Sequence, residues 1–199
     1  MLLVIETAFA LSVAMLDEDR IVAEEHREVG RGHAEALMPA IATIVGSDHA
    51  RISGIVVDIG PGSFTGLRIG IAAARALGLA WGVPVTGVGS LALIAAAVFA
   101  ADVSLAEVTA VADAGRGQVY WQTFDREFTG RSDAAAGTPE AMTLPLETAC
   151  AGPGAILIPG AACLDPAPPR AATLRYLPRA MSSLPPVPLY LRAPDAIAA

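Results

Sequence analysis

The segment Asp58-Ile-Gly-Pro-Gly-Ser-Phe-Thr-Gly-Leu-Arg-Ile-Gly70 compresses a strand end, a glycine-rich turn and a helix start into one stretch, and few architectures accommodate all three. Upstream, Ile52 to Asp58 is a β-branched run suited to a strand covered on both faces. Gly60, Gly62 and Gly66 permit a tight turn and close backbone approach, while Ser63 or Thr65 can cap the first amides of the following helix. The block therefore predicts a β-turn-α unit around which function is organised.

Glycine turns of this kind often cradle phosphate on exposed amides, so spacing must separate the alternatives. A Walker loop requires Lys-Ser/Thr after its last glycine, but Leu67-Arg68 follows Gly66 and the chain has no lysine. A dinucleotide fingerprint places its third glycine one residue earlier than Gly66 and expects an acid about 20 residues on. None occurs between Asp58 and Asp102. A nucleophile elbow does not fit around Ser63, and His26, His33 and His49 all precede it, against the Ser, acid, His order of that fold.

At 199 residues the chain can bury a substantial core as one domain or two small ones. A net charge of -7 argues against a broad nucleic-acid footprint. Cys150 and Cys163 lack C-x-x-C spacing and read as free thiols in a reducing, cytoplasmic setting. The opening Met1-Leu-Leu-Val-Ile-Glu6 has no basic n-region and makes a poor signal peptide. Ala76 to Ala101 carries no charge and is long enough to span a bilayer. Gly78, Gly82, Pro84, Gly87 and Gly89 divide it, however, so it reads as a helix end, a strand at Val83 to Thr86 and a helix at Ser90 to Ala101. No membrane association is expected.

Strands are expected at Leu2 to Glu6, Ala10 to Leu16 and Arg20 to Glu28, followed by a helix from His33 to Val45. Adding the strand and helix of the glycine block, then the strand and helix beyond it, gives the order βββαβαβα. That order is an α/β arrangement of mixed sheet and covering helices, of the ribonuclease-H-like or actin-like kind. Near Val108 the chain starts again: Val108 to Asp113, a Gly115-Arg-Gly117 turn and Gln118 to Phe124 echo the opening strand pair, suggesting a duplicated fold with a shortened second copy. The expected division is an N-terminal lobe over 1–103 and a smaller C-terminal lobe over 104–199. Frequent prolines after Asp125 permit only short elements, and Gly152-Pro-Gly154 and Pro159-Gly160 read as turns. Pro185 to Ala199 is expected as an extended tail, on the surface or poorly ordered.

Glu6 stands where an actin-like ATPase places an acid followed by glycine, but Glu6-Thr7-Ala8-Phe9 lacks that glycine. It reads as a solvated or capped strand-end acid. Asp113, opening Asp-Ala-Gly115, is the better candidate for a phosphate loop, so Glu6, Thr7, Asp113 and Gly115 together make at most a degenerate nucleotide site. His33 has no second ligand one turn away and reads as a structural or interface residue. Gly66, Gly70, Ala74 and Gly78 recur every four residues as a smooth helical stripe open to two partners. One is the protein's own sheet. The other is a second subunit, with Leu37, Met38, Ile41, Ile44 and Val45 as an apolar face and Arg68 and Arg75 at its rim.

His33-Ala-Glu-Ala-Leu-Met-Pro39, Gly60 to Arg68, Gly87-Val-Gly-Ser-Leu91, Asp113 to Tyr120 and Pro188-Leu-Tyr-Leu-Arg192 together resemble the bacterial TsaB (YeaZ) family across nearly the whole chain. The resemblance implies a two-lobed actin-like fold and a non-catalytic relative of the enzyme TsaD, without its metal site. It implies a subunit that pairs with TsaD, and with the ATPase TsaE, in an ATP-using complex that places threonylcarbamoyl on an adenosine beside the tRNA anticodon. The chain would meet tRNA only through that complex and form a homodimer in isolation. The family's subunit contact uses its first two long helices. It falls here on His33, Leu37, Met38, Ile41, Phe64, Gly66, Arg68, Gly70, Ala74, Arg75 and Gly78. Glu6 departs from the family's usual aspartate. The competing reading is a small actin-like ATPase or kinase using Glu6 and Asp113.

Overall fold

The computed structural model of the chain describes residues 1–30, 32–129, 132–142 and 148–192. Three strands, β1 (Leu2–Glu6), β2 (Leu11–Asp17) and β3 (Arg20–Arg27), lead into helix α1 (His33–Val45). Then come β4 (Gly54–Gly60), α2 (Phe64–Trp81), β5 (Val85–Gly89) and α3 (Ser90–Ala101). The strands form one sheet of order β3-β2-β1-β4-β5, antiparallel through β1 and parallel beyond it.

Both faces of this sheet are covered, which is why β1 and β4 are apolar without alternation. Leu3, Ile5, Leu11, Val13, Ile55 and Val57 meet α1 and α2, while Val4, Leu16, Val56 and Val88 meet Leu93 of α3 and the 3₁₀ segment Ala171–Tyr176. Helix α1 buries Leu37, Ala40, Ile41, Ile44 and Val45, the spacing of a single apolar face. Helix α2 starts on Ser63, whose hydroxyl accepts from the Gly66 amide at 3.2 Å, and stops at Gly82 in the left-handed region. Helix α3 is buried on nearly every side because it lies between two sheets: Leu93 faces the first, and Ile94, Val98 and Phe99 face the second. Within the uncharged run over 76–101 it is α3 that is interior packing, whereas Ala76, Leu79 and Ala80 at the end of α2 are exposed, and among the described residues no helix is long and apolar enough to cross a membrane.

The second sheet runs β10-β9-β6-β7-β8, from β6 (Glu107–Gly115), β7 (Gln118–Asp125), β8 (Ala135–Gly137), β9 (Ala149–Ala151) and β10 (Ala162–Asp165). Read from β6, every neighbour and every strand direction repeats the first sheet, so the suggested duplication extends through all five strands. Several strands differ from the expected boundaries by one or two residues, and the shifts on either side of α2 have a clear cause. The strand before the glycine turn continues past Asp58, because the ladder to β5 persists to Gly60 opposite Gly89. The next strand begins only at Val85, since the Val83 amide still bonds the Gly78 carbonyl at the end of α2.

Of the expected tail, residues 193–199 lie outside the described residues. Residues 184–192 form a strap along the first sheet's edge and across to the second. Leu184 bridges Gly87, the Leu189 amide donates to the Ile59 carbonyl at 2.7 Å, Leu191 packs in the second core, and Arg192 reaches Gln118 at 2.8 Å.

Candidate functional site

The glycine turn after β4 lies against the turn after β1, and this contact decides what the strand ends can do. A Cβ on Gly62 would come within 2.6 Å of the Ala8 Cβ, and one on Gly66 would overlap the Thr7 carbonyl oxygen. Thr7 is fully buried, and its hydroxyl donates to the Gly66 carbonyl at 2.8 Å. Where an open loop would leave amides free for phosphate, these two turns satisfy each other.

Glu6 is not solvated. It is fully buried and capped, its carboxylate accepting the amides of Phe9 at 2.9 Å and Ala10 at 3.3 Å. Asp58, also fully buried on neighbouring β4, accepts the Gly60 amide at 2.7 Å and the Ser90 hydroxyl at 2.7 Å. Burial first, then the charge of Asp58, pushes Glu6 well above the usual carboxylate range against the pull of its backbone donors. Burial likewise raises Asp58 to about 7, although Gly60 and Ser90 stabilise its charged form. Spacing alone pointed to Glu6; it missed Asp58 as its partner, although the acid preceding the glycine block was a visible signal.

Asp113 and Gly115 are separate from this pair. Both are exposed at the end of β6, with the Asp113 carboxylate accepting the Gly115 amide at 2.7 Å. They line an interlobe cleft of about 360 Å³ with Phe9, Ser63, Phe64 and Tyr120. The four residues of the degenerate nucleotide site therefore divide: Glu6 and Thr7 are inside the first lobe and Asp113 and Gly115 are at the cleft.

The helical stripe resolves in the same direction. Gly66, Gly70, Ala74 and Gly78 are buried on the protein's own sheet, where a Cβ on Gly70 would strike the Thr7 hydroxyl and one on Gly78 a Val85 methyl. Leu37 and Ile41 belong to the core as well. All six are buried in the protein's own core, with Ile41 also at the floor of the groove between α1 and α2; glycine is needed in the stripe because helix and sheet approach too closely for a side chain. Phe64, Arg68 and Arg75 face the strap. The Phe64 ring stacks on Tyr190 with centroids 5.1 Å apart, Arg68 lies over Phe64 and bonds the Tyr190 hydroxyl, and Arg75 donates to the Pro186 carbonyl at 2.8 Å. His33 is half-buried in the first turn of α1, with Nε2 buried and lacking a hydrogen-bond partner among the described residues. Met38 is 47% exposed and Leu79, which spacing did not single out, is 87% exposed. Between α1 and α2 runs an open apolar groove lined by Met38, Ala42, Val45, Leu77, Ala80 and Trp81.

Among the described residues no group of three or more His, Cys, Asp or Glu side chains converges as a metal site. The arrangement offers a first lobe with closed strand ends and an exposed helical face, and a cleft in which Asp113 is the one lining carboxylate among the described residues.

Comparison with known proteins gives these features a context. The family model described as TsaD, tRNA N6-adenosine threonylcarbamoyltransferase, matches residues 21–143. An uncharacterised protein of Mycobacterium tuberculosis is 34% identical over 170 residues, covering 83% of this chain and 78% of its own length. The tRNA threonylcarbamoyladenosine biosynthesis protein TsaB of Bacillus subtilis is 37% identical over 123 residues, 60% of this chain and 52% of that protein. The solved structure of YeaZ from Pseudomonas aeruginosa superposes with a TM-score of 0.78 at 25% identity, over 96% of this chain and 99% of that one.

Proposed function

This chain belongs to the TsaB (YeaZ) family, with residues 21–143 matching the TsaD family model, and from that premise we propose that it is a non-catalytic subunit of tRNA threonylcarbamoyladenosine biosynthesis. It supports the catalytic relative TsaD through the outer face of α1 and α2, in a cytoplasmic complex that also includes the ATPase TsaE and consumes ATP. It meets tRNA through that complex, and in isolation it pairs with a second copy of itself.

The observation that carries the reading is the uncovered apolar surface of the two helices: Met38, Leu77, Ala80 and Trp81 line the open groove between them, and Leu79 is a further exposed apolar side chain on α2. Exposed large apolar side chains grouped along two helices are costly in water unless a partner covers them. The sealed strand ends support the passive role, because Glu6 and Thr7 spend their hydrogen bonds on the fold. A subunit of this kind acts by favouring the competent conformation of its partner, which requires higher affinity for that state.

The docking residues are accordingly the exposed ones. Light scattering on a sizing column tests the reading with the TsaD protein of the same organism. A one-to-one complex is expected with the wild type and is lost in the Met38→Asp, Leu79→Asp variant, while its circular dichroism is unchanged. A complex insensitive to both changes would move the interface elsewhere. The ATPase reading predicts instead magnesium-dependent ATP binding that disappears in Asp113→Ala.

A further inference from the structure

The two cysteines, far apart in sequence, share one register position in the second sheet. Cys163 on β10 is the direct partner of Cys150 on β9 in a parallel ladder. Neighbouring strands lie about 4.8 Å apart, inside the roughly 4.4–6.8 Å Cα separation that a disulfide spans. Residues paired directly across a ladder project from the same face. Here that is the face on which Cys150 packs with Val111, Val119 and Ala155. Both side chains are thiols in this structure, Cys150 fully buried and Cys163 exposed at the sheet's outer edge.

We infer that Cys150 and Cys163 form a reversible thiol–disulfide site on the β9–β10 edge of the second lobe. The exposure difference sets the order of events. Cys163 is the thiol that a solvent-borne oxidant can reach; Cys150 can be reached only by its ladder neighbour. Burial, with the charge of Cys163 second, pushes the Cys150 thiol up to about 11, which keeps it inert until that neighbour is activated.

With a low-molecular-weight disulfide as oxidant, the Cys163 thiolate attacks one of its sulfurs, forming a mixed disulfide and expelling one small thiolate. The Cys150 sulfur then attacks the Cys163 sulfur, its proton passing to the small thiolate that departs. The protein disulfide forms as the second small thiol leaves. Two protein thiols are oxidised, and one small disulfide is reduced to two thiols.

The bond would tether β10, which among the described residues pairs with β9 alone and whose four residues are all exposed, to a strand anchored against β6. It would also close the loop holding Gly152-Pro153-Gly154 and the 3₁₀ turn Ala155–Leu157.

The test uses the full chain in oxidised glutathione, with free thiols then alkylated under denaturing conditions and the intact mass recorded. The expected product has lost two hydrogens, takes up no alkylating agent, carries no glutathione, reverts with dithiothreitol and melts at a higher temperature than the reduced protein. Cys150→Ser is expected to stop at the glutathione adduct, and Cys163→Ser to remain unmodified while folded. Wild type that retains glutathione on Cys163 with Cys150 still alkylatable would overturn the inference, as would a disulfide-linked dimer through Cys163. The wild-type measurement decides even if the buried Cys150 variant fails to fold.

Discussion

The two lobes share a strand order and a repeated turn, yet among the described residues only the first builds long helices on it. Gly60-Pro-Gly62 follows β4 and Gly152-Pro-Gly154 follows the corresponding β9, with Gly60 at φ 105° and Gly152 at φ 99°. Both turns are tight: a Cβ on Gly62 would lie 2.6 Å from Ala8, and one on Gly154 2.7 Å from the backbone of Ala112. After the first turn, Ser63 caps an 18-residue helix; after the second, the 3₁₀ turn Ala155–Leu157 has no side-chain cap and gives way to Pro159-Gly160. The turn sets the direction of the chain, but a helix needs a cap and an uninterrupted run of helix-compatible residues. The strand-end acids differ in parallel, Glu6 being locked inside and Asp113 left in water.

The sharpest break of this contrast is Gly66→Val. Its side chain would collide with the Thr7 backbone, costing more than the about 1–3 kcal/mol usual for overpacking. Loss of soluble, cooperatively melting protein is expected, because this clash disrupts the fold before any docking. The same logic applies to Gly70, where a bulky residue removes the fold along with association.

A pH series probes the sealed acids. An unfolded aspartate titrates near 3.9, while Asp58 in the fold is raised to about 7. Between those values the folded state binds protons that the unfolded chain has released, so the stability held at low pH is lost as pH rises through about 7. The raised Glu6 contributes with the same sign. Urea melts should give a lower midpoint at pH 8 than at pH 5, and Asp58→Asn should flatten the difference and raise the midpoint at pH 8. An unchanged slope in Asp58→Asn would remove Asp58 as the cause.

Smaller effects belong to the second lobe. Gly115→Ala meets no neighbour but sits at φ 71°, so the variant should lose about 1–2 kcal/mol in denaturant unfolding. Asp113→Ala, removing one exposed bond to the Gly115 amide, should shift stability by no more than about 0.5 kcal/mol. A large loss there would mean that the two strand-end acids are more alike than their exposure suggests.

Much of this was legible in the residues. Helix α1 keeps its expected bounds, ending at Gly46, and α3 starts directly after Gly89 as expected, and the glycine block marks a tightly packed turn. What sequence left open was the occupant on the other side of each contact. A stripe of small residues reports close approach without saying to what, and only the fold assigns Gly70 to Thr7. Glu6 and Asp58 are far apart along the chain, so their coupling depends on the β1–β4 pairing that brings these strand ends together. Short strands such as β8 and β9 carry too few residues to establish a period. The recurrence of Gly-Pro-Gly was the available cue that they continue the duplication.

The return of the chain to the first sheet gives that lobe a timetable. Ala171 donates its amide to Ser12, and Leu189 closes onto Ile59, so strands made early in synthesis await partners made late. At about 5–20 residues per second, the roughly eighty residues between Gly89 and Ala171 take several seconds to emerge. During that interval Val4, Ala14 and Leu16 lack the cover of Ala171, Ala172 and Leu174. A nascent chain stalled there would present a bare apolar sheet face to chaperones, whereas one only a few dozen residues longer would not.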